Sequence, residues 1–165
     1  MSAFFLHFVF FATTSTWIDM KDVIPDAVLD LRYATTNNVT HQILYSDRRC
    51  ILRSEAAQKL VVAAVTLRAQ KRRLLLWDCY RPHHVQYQLW KIFPKAGFVA
   101  PPRQGSFHNR GVAVDVAVVD ENAQAVPLPT DFDDFTDAAA VNAKTSEDKA
   151  RERNQLQKSH ACCRI

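Results

Sequence analysis

Ser106-Phe107-His108-Asn109-Arg110-Gly111-Val112-Ala113-Val114-Asp115 sets an imidazole before a turn and a carboxylate beyond it, inside an apolar run. Asn109-Arg110-Gly111 is a turn signal, with Gly111 free to take positive φ, and Val112 to Val119 reads as a buried strand. Asp115 breaks the pattern of that strand. A carboxylate among Val and Ala is costly to bury unless a cation or a set of donors meets it. A divalent metal shared with His108 would meet it, and a nitrogen and oxygen donor set of this kind suits zinc. The bland reading of the same spacing is a hydrogen-bonded His and Asp pair at the surface. A second segment upstream favours a site.

That segment begins with Leu74-Leu75-Leu76-Trp77, a buried strand that delivers Asp78-Cys79-Tyr80-Arg81-Pro82 to its end. An amphipathic helix follows through Val85, Leu89, Trp90 and Phe93 and stops at Pro94, with His83 and His84 on its surface. Strand, charged pair, proline and helix in this order place Arg81 at the mouth of the sheet, with Asp78 close enough to orient it. Taken alone, the pair would be a structural salt bridge.

Around these two segments the chain reads in order. Ala27 to Tyr33 alternates as a first strand, Thr35 to Thr40 is loop, and a helix follows from a Ser54 cap through Ala56, Leu60, Val61, Ala64, Val65 and Leu67. Lys71-Arg72-Arg73 is a solvated connection from helix to strand. Gly97 to Gly105 is loop. Asp120 to Ala123 is a hairpin turn, Ala125 to Leu128 an edge segment, Phe132-Asp133-Asp134-Phe135 an acidic loop, and Ala138 to Leu156 a polar helical stretch.

With 165 residues, 48% of them hydrophobic and 10% aromatic, the chain is long and apolar enough for one folded domain. The net charge of +4 comes from 21 Lys and Arg against 17 Asp and Glu, without a basic stripe interleaved with aromatics, so no nucleic-acid partner is expected. Ala3 to Ala12 is an apolar run too short to span a bilayer. It fits the core of a signal peptide over residues 1–16, which would put the protein in the periplasm or cell envelope; no Lys or Arg precedes it, and a hydrophobic first strand of a cytoplasmic protein is the alternative. Export would let Cys50 and Cys79 form a disulfide closing a loop of about 30 residues, worth roughly 3 to 4 kcal/mol. Inside the cell both would be buried thiols. The tail holds His160 with Cys162 and Cys163, a poor metal set at a chain end.

D-x-Y-R-P at Asp78, Tyr80, Arg81 and Pro82, followed by S-x-H-x-x-G-x-A-x-D at Ser106, His108, Gly111, Ala113 and Asp115, resembles the zinc D-alanyl-D-alanine dipeptidases of the VanX type. Leu31-Arg32-Tyr33-Ala34-Thr35 with Asn38 and Thr40 resembles the family's opening motif, and Phe132-Asp133 its substrate-side loop. The resemblance runs from about Ile18 to Asn154. It implies an α+β fold with a small central antiparallel sheet flanked by helices, shared with D,D-carboxypeptidases and the hedgehog signalling domain. It also implies hydrolysis of the D-alanyl-D-alanine dipeptide in cell-wall metabolism by a zinc metallopeptidase with one ion per chain. His108 and Asp115 would be two of three protein ligands of the zinc, and Arg81 would stabilise the developing oxyanion. Tyr33 and Ser106 would contact substrate, and Asp133 would receive its free ammonium group.

One departure stands out. The family's closing E-x-W-H or E-W-W-H segment, source of its general base and third zinc ligand, is absent. Arg153 to Leu156 resembles the start of the helix before that segment, and residues 159–165 match nothing. The expected layout is therefore an incomplete dipeptidase-like domain over residues 17–158 with an unmatched tail at 159–165, its C-terminal part missing. Weak or no activity is expected, since a positioned base is worth ~10²- to 10⁴-fold in rate. The alternative function is a non-catalytic remnant that binds peptidoglycan-derived peptides.

Overall fold

The computed structural model describes residues 16–139 and 143–159, the last five by backbone alone. The apolar N-terminal run, His160, Cys162 and Cys163 lie outside the described residues. The described part is a mixed α/β structure of two small sheets and four helices, the first of them the single turn α1 (Met20–Val23). Helices α2 (Ser54–Arg68) and α3 (His83–Ile92) flank the larger sheet, in which β4 (Arg73–Asp78) lies between β2 (Val28–Leu29) and β5 (Asp115–Val119). The second sheet pairs β1 (Trp17–Asp19) with β3 (Ile51–Arg53), antiparallel.

Two features differ from the single antiparallel sheet expected from the sequence. The β2 to β4 pairing is parallel, because the chain returns through α2 before entering β4, and only a crossover can do that. The expected strand over Ala27 to Tyr33 shrinks to two residues: the chain curls into a 3-10 turn at Arg32–Ala34, which buries Tyr33 and Ala34. The β4 to β5 pair is antiparallel, as expected.

Packing follows the apolar spacing. Ala56, Leu60, Ala63, Ala64 and Leu67 form the buried stripe of α2 and join Leu74 and Leu76 of β4 in the main core. Burying a Leu such as Leu60 contributes about 1.5 to 3 kcal/mol, and Leu60→Ala would cost about 2 to 5. Ser54 is the first helical residue rather than the cap, which is Arg53 in extended conformation. The helix closes in a Schellman motif: Lys71 N–H donates to Arg68 C=O and Arg72 N–H to Leu67 C=O, with Lys71 at φ +57° where glycine is usual. The opposite face of the sheet carries Leu75, Ala117 and Val119 under Leu128.

Helix α3 buries Val85, Gln86 and Leu89 and ends where Phe93, held out of the α region by Pro94, leaves the helix at φ −134° and ψ 76°. Val85 and Leu89 form a second cluster with Tyr33, Leu44 and Val99. The expected polar helix begins later than Ala138, as α4 (Glu147–Ser159), and Arg72 pairs with its Glu152. No helix among the described residues is long and apolar enough to cross a membrane.

Candidate metal centre

The expected strand from Val112 starts only at Asp115, and the three residues before it form an irregular approach to the sheet. At the other side of the ladder, regular pairing puts Leu76 opposite Val116, and the next pair is Asp78 with Asp115. Trp77 is the extra residue of a β-bulge. Without it, Trp77 would face Asp115; with it, two carboxylates meet across neighbouring strands, a use of bulges common beside functional sites. Directly opposed like charges repel, so this register needs cations to hold it.

Arg81 is the first of them. Its Nε and Nη2 donate to Asp78 Oδ2 at 2.8 and 2.5 Å, its Nη1 donates to Gln86 Oε1 at 2.9 Å, and Nη2 lies 4.0 Å from Asp115 Oδ2. Tyr45 O–H donates to the other oxygen of Asp78 at 3.0 Å. Asp78, fully buried, therefore has both oxygens engaged in fixing the guanidinium. Burial works against the Arg81 charge, but Asp78, Tyr33 and Asp115 outweigh it and hold its pKa above the usual range. The guanidinium lies over the Tyr33 ring at 4.7 Å.

His108 is the second. It opens a 3-10 turn, His108–Arg110, that Gly111 ends at φ +68°. Ser106 Oγ accepts from His108 N–H at 3.2 Å, Asn109 Nδ2 donates to Arg81 C=O at 2.8 Å, and Arg81 N–H donates to His108 C=O at 3.1 Å, so the turn is bonded to the arginine segment. The ring is fixed from below: Nδ1 donates to the Cys79 carbonyl at 2.9 Å, leaving Nε2 facing Asp115 Oδ1 at 3.5 Å. Burial opposes the imidazolium, but Asp115 and Asp78 outweigh it and raise the His108 pKa. Burial likewise opposes the Asp115 carboxylate, but His108 and then Arg81 outweigh it and lower its pKa.

Ligand atoms of Asp78, His108 and Asp115 lie within 4.8 Å of one another. The donor set fits a divalent ion at two of these positions. A separation of 3.5 Å is long for a hydrogen bond, yet close to the ~3.4 Å between two ligands on a tetrahedral ion with bonds of about 2.0 to 2.1 Å. An Nδ1 bonded to a carbonyl is also the usual state of a metal-binding imidazole. Asp78, with both oxygens engaged, fits the role of orienting Arg81.

Tyr33 and Asp133 meet: the phenol donates to Asp133 Oδ2, and the Tyr33 ring stacks edge-on against Phe132 at 5.3 Å. Burial pushes the Asp133 carboxyl up to about 6, with the Tyr33 hydrogen bond working against it and Asp115 adding to it. Asp133 adopts φ +53°, in the left-handed region that Asp tolerates better than most residues. Ser106 supports the turn through its hydroxyl. Cys50 and Cys79 are joined in a disulfide with Cα atoms 5.2 Å apart. Sequence reasoning missed Gln86 and Tyr45. A glutamine between Val85 and Leu89 on the buried face of α3 is the same kind of anomaly as Asp115 and could have been noticed; Tyr45, in an irregular segment, gave no signal.

The comparisons with known proteins make the chain a metallopeptidase, a hydrolase, and the imidazole, carboxylate and guanidinium grouped here are compatible with that class. The family model described as D-ala-D-ala dipeptidase matches residues 13–161, and the chain belongs to that family. The D-alanyl-D-alanine dipeptidase of Escherichia coli (strain K12) is 29% identical over 143 residues, which cover 87% of this chain and 74% of that protein.

Proposed function

We propose that the chain's site is built to hydrolyse D-alanyl-D-alanine with zinc held by His108 Nε2 and Asp115. The observation that carries this reading is the 3.5 Å facing of those two donors with Arg81 fixed beside them. When bound, zinc supplies Lewis-acid polarisation of the peptide carbonyl and a nucleophile at neutral pH. The chain's own residues do the rest. Arg81, held by Asp78 and Gln86, offers a rigid fork of donors to the oxyanion that develops on the carbonyl. Asp133 receives the free ammonium of the dipeptide, and Tyr33 sets the orientation of that carboxylate. Ser106 lies at the same turn as a substrate contact.

A second reading is favoured by one observation: of the three candidate ligands grouped among the described residues, Asp78 has both oxygens engaged by Arg81 and Tyr45, which leaves two for an ion. In that reading the chain binds peptidoglycan-derived peptides through Arg81, Ser106 and Asp133 without turning them over. Zinc content of the purified protein and D-alanine release from the dipeptide separate the two. One zinc per chain and turnover abolished by His108→Ala support the enzyme. Dipeptide binding with neither zinc nor turnover supports the binder, and the absence of all three refutes both.

A further inference from the structure

We propose that the Cys50–Cys79 disulfide is a positioning device for the site: it fixes the Cys79 carbonyl that receives the His108 Nδ1 hydrogen, and so turns Nε2 toward Asp115. The metal-affinity half of this inference rests on the zinc reading above. The ring-orientation half does not.

Cys79 needs an anchor because the sheet stops holding the chain just before it. The β4 to β5 ladder is already irregular at Trp77, and its last pair is Asp78 with Asp115. Beyond that pair, Tyr80 N–H donates to Ile51 C=O at 3.1 Å, a single backbone bond between this segment and the other sheet. The disulfide is the covalent tie at that seam, beside the edge-on contact of Tyr80 with Trp17. Its far end is rigid: Cys50 C=O accepts from Met20 N–H at 2.8 Å, and the next residue begins β3. Both cysteines are buried with Leu52 and Leu76 in the main core, so neither sulfur has room to wander.

The consequence falls on one atom. A carbonyl oxygen only accepts, so His108 Nδ1 must carry the hydrogen and Nε2 must present its lone pair to Asp115. Loss of the sulfur bond leaves the Cys79–Tyr80 peptide plane held at this seam by the Tyr80 N–H bond to Ile51 alone and weakens the bond that selects the ring's tautomer; Asp78 Oδ2, 3.4 Å from Nδ1, already accepts two hydrogens from Arg81. Partners of this kind, removed from metal-binding imidazoles, typically cost about 10- to 100-fold in metal affinity.

The test compares the oxidised chain with the Cys50→Ser/Cys79→Ser variant. The first measurement is the ring ¹⁵N spectrum of His108 without metal, at a pH where the imidazole is neutral, assigned by loss of the signal in His108→Ala. The second is a cobalt(II) titration. The expected result is one Nδ1–H tautomer in the oxidised chain, a tautomer mixture in the variant, and cobalt affinity weaker by about tenfold or more. A variant that melts earlier but keeps the same ring spectrum and cobalt affinity overturns the proposal, because the bond is then merely stabilising. If the oxidised chain takes no cobalt while the ring spectrum still responds to the sulfur bond, the zinc reading fails and the positioning role stands. Should the Ser pair not fold, the apolar Cys50→Ala/Cys79→Val pair carries the same two measurements.

Discussion

A carboxyl group whose pKa is pushed up to about 6 is held at some expense to the fold, and Asp133 is such a group. Its folded pKa lies above the unfolded value near 3.8, so its contribution to stability is full below that value and is lost as pH rises through about 6. Asp133→Asn removes the titration without straining the loop, since Asn tolerates the left-handed backbone at φ +53°. The variant should match the parent near pH 4 and exceed it at pH 7 to 8 by on the order of 1 to 2 kcal/mol, less than the raw shift because the group is partly solvated. Urea melts across this range check it, and a constant difference at all pH values would remove Asp133 as the source. The same variant should bind dipeptide more weakly, having lost the charge that meets the ammonium. Gln86 poses the converse case. Gln86→Leu leaves one donor of a buried guanidinium without its acceptor, and Ala100 C=O without its donor at 2.7 Å. A loss of about 2 to 4 kcal/mol in urea melts is expected. An effect under 0.5 kcal/mol would show that Arg81 is held by Asp78 alone.

Among elements, the small β1 to β3 ribbon has an importance out of proportion to its six residues. Arg53 N–H donates to Gly111 C=O at 2.8 Å, and Trp17 lies so close to Gly111 that a Cβ there would sit 2.2 Å from Trp17 Cζ3. Arg53 lies over the Trp17 ring at 4.1 Å and Tyr80 meets it edge-on at 4.7 Å, so a retreat of the ring would disturb both contacts. Gly111→Ala combines left-handed strain with this overlap and should cost about 2 to 4 kcal/mol, with the His108 turn displaced. Pairing it with Trp17→Ala should recover the part due to overlap, and strictly additive losses in the two variants would show that the ring does not brace the turn. None of this could be read from sequence. Gly111 was legible as a turn glycine and Asp115 as a carboxylate in an apolar run, because both are local signals. Trp17 to Asp19 pair antiparallel with Ile51 to Arg53, more than 30 positions away, and are three residues long, too short to show alternation. The parallel edge formed by Val28 and Leu29 is shorter still, and the bulge at Trp77 exists only as a relation between two strands. The two motifs thus named residues that the fold brings together, while what holds them depends on pairings of distant segments.

For the whole molecule, the site lies at a seam. Asp78 and Asp115 end two strands of one sheet, while the turn bearing His108 is bonded through Gly111 to the other. An ion shared by His108 and Asp115 would add a tie between that turn and the end of the sheet, and its binding energy would appear as stability of the entire fold. Zinc at about 100 times its dissociation constant stabilises a folded chain by ~2.7 kcal/mol, which for a chain of this size raises Tm by roughly 5 to 10 °C. The expected outcome is one cooperative transition that moves up with zinc and returns with a chelator, while His108→Ala and Asp115→Ala remain where they are. Calorimetric scans over a range of zinc concentrations check it. An equal rise in those variants would place the ion elsewhere, and no rise at saturating zinc would show that these two donors do not hold it, leaving Arg81 and Asp133 as the groups with which the chain meets a peptide.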